Sequence, residues 1–271
     1  MQLSELLKTT RQYFWSLGFD EVEVPYLNTS LPLEPNLYTF QTKNFYLPSS
    51  PEFVLKNHLA QSKKNCFSIA HCFRDLEAEG PLHTKEFLML EWYEVGKTYL
   101  DLMNSVKKYV SQFIKIDFSE FKLPSGLPGN EPDFNQFFLN KIEPKLPAGG
   151  VFVTGYPAFL SPLAAMSESN IFSAHSDPKV ARTAKNSLTS VKTSDRFEFY
   201  INNIEIANGC TPPCAGVGLG IDRLLSVINQ PWIIESTKED LQISSNLLTT
   251  LPLKEPKNTV RLSKTKKNLV A

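Results

Sequence analysis

The sequence predicts an α/β protein of the α+β kind, a mostly antiparallel sheet flanked by helices. Three observations predict it. The chain opens helix, strand, proline; two apolar strands over residues 66–73 and 87–93 are joined by a charged loop; and a hairpin turning at Asn202-Asn203 is followed by a glycine-rich strand that runs into a helix.

Taken in order, Ser4 is placed to cap a helix in which Leu3, Leu6, Leu7, Thr10, Phe14 and Leu17 recur at helical spacing, and Gly18 is placed to end it. Residues 19–24 alternate as a strand that stops at Pro25. Ser50-Pro51-Glu52 reads as a second helix start: serine as cap, proline at the first helical position, a carboxylate in the first turn. The strands at residues 66–73 and 87–93 form an antiparallel pair around a loop containing Gly80 and Pro81. A helix is expected over residues 100–114, a surface connection over 123–134, and a short strand over 151–154. Residues 167–194 are polar and serine-rich and read as a mobile insertion with a short helix near 178–186. Order returns with the hairpin of residues 196–201 and 204–208, then Gly216 to Leu225 as strand into helix. The expected division is a catalytic domain over residues 1–232 and a flexible basic extension over 233–271, carrying Lys254, Lys257, Arg261, Lys264, Lys266 and Lys267.

Composition narrows the function classes. Lys plus Arg and Asp plus Glu are 28 each, so the chain lacks the basic excess of a protein built on nucleic-acid backbone contacts, which weighs against extensive tRNA binding. No apolar run approaches the roughly 20 residues of a membrane span, and the opening helix is not a signal peptide. With four irregularly spaced cysteines this gives a cytoplasmic, reduced setting. Cys210 and Cys214 have the look of half a zinc site, but Cys66 and Cys72 are poorly spaced within a strand, so small apolar roles are expected for all four.

Alternation sorts the candidate chemistry. Phe87, Met89, Glu91 and Tyr93 share one strand face, and Leu88, Leu90 and Trp92 form an apolar opposite face, so Glu91 and Tyr93 should look into a site. Arg74 leaves the preceding strand, where it can hold a phosphate while Glu91 holds an amine. A two-residue turn at Asn202-Asn203 pairs Tyr200 with Glu205 and Glu198 with Ala207, which puts the two glutamates on one face as diagonal neighbours about 7 Å apart. Carboxylates so placed can share a hard cation such as Mg²⁺, and would repel without a cation or a basic partner. Strict alternation puts Asn208 opposite Glu205, so a bulge near Gly209 is required if both serve one site. Gly216, Gly218 and Gly220 leave bare backbone where a nucleotide can lie, with Arg223 following in the next helix. Neither a Gly-x-x-x-x-Gly-Lys loop nor a strand-anchored Gly-x-Gly-x-x-Gly is present.

These residues resemble the three signature motifs of the class II aminoacyl-tRNA synthetases, in the lysyl branch. The helix, strand and Pro25 look like motif 1, Phe73-Arg74 through Glu91 like motif 2, and Gly218-Leu219-Gly220-Ile221-Asp222-Arg223 like motif 3. Ser50-Pro51-Glu52, Tyr156-Pro157-Ala158, Ser161-Pro162-Leu163-Ala164 and residues 195–199 extend the likeness to about residue 228. Leu90-Glu91-Trp92-Tyr93 and residues 204–209 look most like the short branch that joins lysine or β-lysine to a lysine of translation elongation factor P, and the chain opens almost at motif 1, without an anticodon-binding barrel.

The resemblance implies a class II synthetase-like core, an ATP-dependent ligase that forms an aminoacyl-adenylate, and a homodimer through the motif 1 region. It implies that Arg74 and Arg223 are catalytic, Arg74 on the α-phosphate and substrate carboxylate and Arg223 on the γ-phosphate. Asp75, Glu77, Thr84, Glu205, Ile206 and Gly220 would complete the ATP site, with Mg²⁺ on Glu198 and Glu205. Ser50, Pro51, Glu52, Glu91, Tyr93 and Asn208 would line the amino-acid pocket, Glu91 pairing the distal ammonium. Two departures stand out. Leu76 follows Asp75, so the acid of motif 2 comes one place later, as Glu77; and Gly209 runs straight into Cys210-Thr211-Pro212-Pro213, where the family carries a further segment with a substrate-binding glutamate. Transfer to tRNA and a non-catalytic paralogue that binds nucleotide or a partner are the competing expectations.

Overall fold

The computed structural model describes residues 1–29, 38–75, 80, 84–160, 164, 166–168, 192–210 and 214–230, all within the compact unit Met1–Gln230. The expected helix at 178–186, Glu77 and the basic extension lie outside the described residues. Five α-helices are described: α1 (Leu3–Ser16), α2 (Glu52–Ser62), α3 (Tyr99–Val110), α4 (Glu131–Phe137) and α5 (Ile221–Asn229). The strands are β1 (Asp20–Glu21), β2 (Gln41–Thr42), β3 (Phe45–Tyr46), β4 (Cys66–Phe73), β5 (Glu86–Val95), β6 (Phe118–Lys122), β7 (Gly150–Thr154), β8 (Met166–Glu168), β9 (Lys192–Ser194), β10 (Arg196–Ile201), β11 (Ile204–Cys210) and β12 (Cys214–Gly220).

Eight strands make one sheet in the order β1-β4-β5-β12-β11-β10-β7-β6. The β1–β4 and β6–β7 pairs are parallel and the five between them antiparallel, so the sheet is antiparallel through its centre and parallel only at its edges. Helices α1 and α3 cover one face. Phe14 of α1 stacks on Phe67 at 4.8 Å and meets Trp92 at 5.2 Å and Tyr109 of α3 at 5.6 Å, a fully enclosed aromatic cluster in which truncating one ring costs about 3–5 kcal/mol. Thr10 satisfies its hydroxyl inside that cluster on Tyr109 and on the Leu6 carbonyl. A second core forms where Phe134, Phe138, Ile142 and Leu146 pack on Val151, Val153, Tyr156 and Tyr200.

Several expected boundaries move for local reasons. Ser4 does not cap α1: Gln2 is the extended cap residue, with no side-chain bond to the helix. The C-terminus behaves as expected, with Gly18 at φ +77° while its N–H reaches the Trp15 carbonyl and that of Phe19 the Phe14 carbonyl. The strand expected over 19–24 shortens to Asp20–Glu21, because β4 offers it only Cys66 and Phe67 as partners. Pro51, rather than Ser50, is the cap residue of α2. The helix expected over 100–114 is Tyr99–Val110, started by a reciprocal box in which Thr98 and Asp101 satisfy each other's backbone N–H groups. The expected connection over 123–134 already contains the start of α4, capped by Asn130, and β6 before it was not foreseen, since a parallel edge strand is specified by its partner β7 rather than by its own alternation. The flanks of the polar insertion pair with each other as β8 and β9.

Candidate active site

The site is built on the face of the sheet opposite α1 and α3. Along β5 this face carries Phe87, Met89, Glu91 and Tyr93, and every neighbour across the ladder is small. Cys72, Ala70, Ser68 and Cys66 stand opposite them on β4, and Gly220, Gly218 and Gly216 stand opposite Met89, Glu91 and Tyr93 on β12. A trough therefore runs over β5 with Glu91 at its middle. The β4 contribution, Ser68 above all at 1% exposure, is a feature that period-two reading of residues 66–72 would have found and the motif reading passed over.

Glu91 is 6% exposed, and the Tyr93 hydroxyl donates to it at 2.7 Å. Tyr93 is packed at one end of the trough with Leu55 of α2, Cys66 and Cys214. Glu52, in the first turn of α2, is ion-paired with Lys56, whose ammonium lies 5.9 Å from the centre of the Tyr93 ring. Ser50 is half-buried and Pro51 buried at the start of the same helix. Leu55 and Lys56 of α2 thus meet Tyr93 of β5 around one aromatic ring, and Glu52 reaches it through Lys56.

At the other end, Arg74 leaves β4 and lies over the Phe87 ring at 5.1 Å, its Nε donating to the Ser49 carbonyl at 3.3 Å. Asp75 is tied by its backbone to Tyr38 and sits 3.9 Å from the Lys85 ammonium. Thr84 is exposed and donates its hydroxyl to the Glu86 carbonyl at 2.6 Å, so it stabilises the entry to β5.

The hairpin of β10 and β11 corrects the expected register. Asn202 and Asn203 have φ of 47° and 63°, as a two-residue turn of this hand demands, and Tyr200 does face Glu205. Beyond that pair the register shifts, so Phe199 faces Ala207 and Glu198 faces Asn208, not Ala207. The extra residue is Ile206, not one near Gly209. Its side chain is 2% exposed and turns into the core, leaving only its backbone to the site. The bulge restores Asn208 to the face of Glu205, and their side chains meet at 3.4 Å.

Both glutamates have basic partners. Glu198 accepts from the Tyr156 hydroxyl at 2.6 Å and the Tyr200 hydroxyl at 2.7 Å and is ion-paired with Arg196; Glu205 is 3.4 Å from Arg223, which also donates to the Glu205 carbonyl at 3.1 Å. Repulsion between the two acids therefore does not by itself require a cation. Burial, then the Glu198 charge, raises the Glu205 carboxyl, against the lowering pull of Arg223 and Arg196. Burial and the Glu198 charge likewise raise the Tyr156 and Tyr200 hydroxyls, which stay protonated as donors. No cluster of three or more His, Cys, Asp or Glu suited to a metal occurs among the described residues, but two hard carboxylates on one face fit a Mg²⁺ ion completed by phosphate and water oxygens.

Arg223 rises from the first turn of α5, whose cap residue is Gly220. One residue that motif reading did not single out secures this helix. β12 ends at Gly220, opposite Met89, and Asp222 Oδ2 then accepts from the Leu88 N–H at 2.8 Å. The carboxylate continues the ladder by one bond and fixes Arg223 against β5.

Residues 1–211 match the tRNA synthetases class II (D, K and N) family. Among curated relatives, the elongation factor P–(R)-β-lysine ligase of Sodalis glossinidius is 30% identical over 79% of this chain and 86% of its own length. The proteins of the same name from Buchnera aphidicola and Vibrio vulnificus are each 26% identical, over 82% and 83% of this chain and 88% and 89% of theirs. No described helix is long and apolar enough to cross a membrane. A mostly antiparallel sheet, a trough bordered by glycines with Arg74 and Arg223 toward one end and Tyr93 at the other, and a family match over residues 1–211 agree: the chain belongs to the class II tRNA synthetase family and is a ligase of that ATP-dependent type.

Proposed function

We propose that this ligase activates β-lysine or lysine as an aminoacyl-adenylate and transfers it to a lysine of elongation factor P. The observation that carries the reading is Glu91, a nearly buried carboxylate oriented by Tyr93 on the same strand face as the Phe87 ring that carries Arg74. Four residues of strand separate Phe87 from Glu91, about 13 Å. An extended diamino acid with its ammonium on Glu91 directs its carboxylate toward Arg74 within that span. The names of the relatives support elongation factor P as acceptor and (R)-β-lysine as the group transferred.

In this reading the carboxylate attacks the α-phosphorus of ATP in line and pyrophosphate leaves. Arg74 orients the carboxylate and the α-phosphate, and Arg223 takes the γ-phosphate in place of its loose contact with Glu205. The glycines of β12 let the nucleotide lie on the sheet. Mg²⁺, held by Glu205 and Glu198, would neutralise charge developing on the phosphates. Orientation and charge neutralisation supply most of the rate in such a step, so no covalent catalyst is needed. The motif 1 helix would pair two copies in a cytoplasmic homodimer.

Amino-acid-dependent exchange of labelled pyrophosphate into ATP tests the reading, with lysine, β-lysine and the other standard amino acids compared. Exchange confined to lysine-like substrates, followed by label transfer to purified elongation factor P rather than to bulk tRNA, is the expected result. Absence of exchange with every amino acid overturns it in favour of a non-catalytic paralogue, which the three-residue connection 211–213 between β11 and β12 would favour.

A further inference from the structure

The opposite face of β5 holds a second cleft. Helices α1 and α3 and strand β5 enclose about 230 Å³, lined by Tyr13, Phe14, Trp92, Glu94, Ser105 and Lys108 among others. Period two separates it from the trough: Trp92 and Glu94 point to this side, Glu91 and Tyr93 to the other. Glu94 is 8% exposed. One of its oxygens accepts from the Trp92 indole N–H at 3.2 Å, and among the described residues its second oxygen accepts no hydrogen bond and the carboxylate forms no ion pair. Lys108 stands exposed at the rim.

Withdrawing a carboxylate from water is costly unless it is matched by a cation or several donors, and a single neutral indole N–H is a weak match. Its charge is felt inside the cleft: burial first, then Glu94, raises the Tyr13 hydroxyl. The half-buried Tyr13 ring lines the same cleft, and an aromatic ring beside a carboxylate attracts an ammonium group already desolvated by the cleft. The volume is below the roughly 300–1,000 Å³ of pockets for drug-sized ligands, which limits the occupant to a small molecule.

We infer that this cleft binds a small organic ammonium ion, its charge on Glu94 and its apolar body against Tyr13 and Leu17. The site is independent of the amino-acid pocket around Glu91.

The test is calorimetric titration of the full chain with phenethylamine, with 2-phenylethanol as the uncharged control. Saturable binding of the amine is expected, at least tenfold tighter than the alcohol, unchanged by saturating lysine and retained in Glu91→Gln. Glu94→Gln should weaken it at least tenfold. Ser105→Phe, which fills the cleft and leaves the Trp92–Glu94 bond in place, should abolish it and serves in its own right if Glu94→Gln does not fold. Lys108→Ala should bind as tightly or more tightly, since a competing cation is removed. No saturable binding to the unmodified protein, equal affinity for the alcohol, indifference to the cleft variants, or loss in Glu91→Gln each overturns the inference.

Discussion

The ring of Tyr93 lies directly over Gly216, where an added Cβ would come within 2.2 Å of Cε1. The two residues face each other across the β5–β12 ladder, and this contact sets the position from which the Tyr93 hydroxyl reaches Glu91. Gly218, two pairs further on, would meet nothing closer than Met89 Sδ at 3.6 Å.

Gly216→Ala should therefore displace the tyrosine ring and destabilise the protein by about 1–3 kcal/mol, the usual cost of overpacking. Gly218→Ala should stay within about 1 kcal/mol of the parent, because an ordinary van der Waals contact awaits its methyl group. Urea denaturation of both variants checks the contrast.

Tyr93→Phe removes a hydrogen bond to a charged acceptor while keeping the ring. On the proposed role of Glu91, KM for the amino acid in pyrophosphate exchange should rise about ten- to a hundredfold, matching roughly 1.5–3 kcal/mol for such a bond, and KM for ATP should hold. Equal effects on both substrates would remove Tyr93 from amino-acid recognition.

The raised Glu205 carboxyl has a consequence for stability. The folded state holds this proton more tightly than the unfolded chain, so the contribution of the group is largest below the ordinary glutamate range and is lost as pH rises through the raised folded value. Glu205→Gln should then be more stable than the parent near pH 7, with the difference shrinking toward pH 4. Unfolding midpoints at the two pH values measure it; a parent protein that is the more stable at pH 7 contradicts it.

Burial pushes the Cys66 and Cys72 thiols up to about 12, and both are 0% exposed. Neither should react with a thiol reagent at pH 8 in the folded protein, and both should react once urea unfolds it. Mass mapping of the labelled residues decides this, and rapid labelling of Cys66 in the native protein would show that the β4 edge opens.

Thr98→Ala should cost about 0.5–2 kcal/mol, as removal of a helix cap generally does, because the first turn of α3 then loses its hydroxyl acceptor. Thermal unfolding reads the loss, and Thr98→Ser should recover most of it.

Period-two patterning made the two faces of β5 legible in the residues themselves, β4 keeps the limits expected for it, and an Asn-Asn turn announced the β10–β11 hairpin together with the pairing of Tyr200 and Glu205. Family resemblance located three motifs, and these pointed to the class II core that the fold and the match over residues 1–211 bear out. The register beyond Tyr200 was not legible. A bulge answers to which side chain the core accepts, and it is the burial of Ile206 that moves Asn208 onto the face of Glu205. Nor could local pattern show that Tyr156 holds Glu198, that Asp222 takes the Leu88 N–H, or that Glu94 is enclosed beneath α1 and α3. Those contacts join segments tens to more than a hundred residues apart, or depend on a helix laid across a strand. Alternation along a chain reports the face on which a side chain stands, and only packing decides what stands against it.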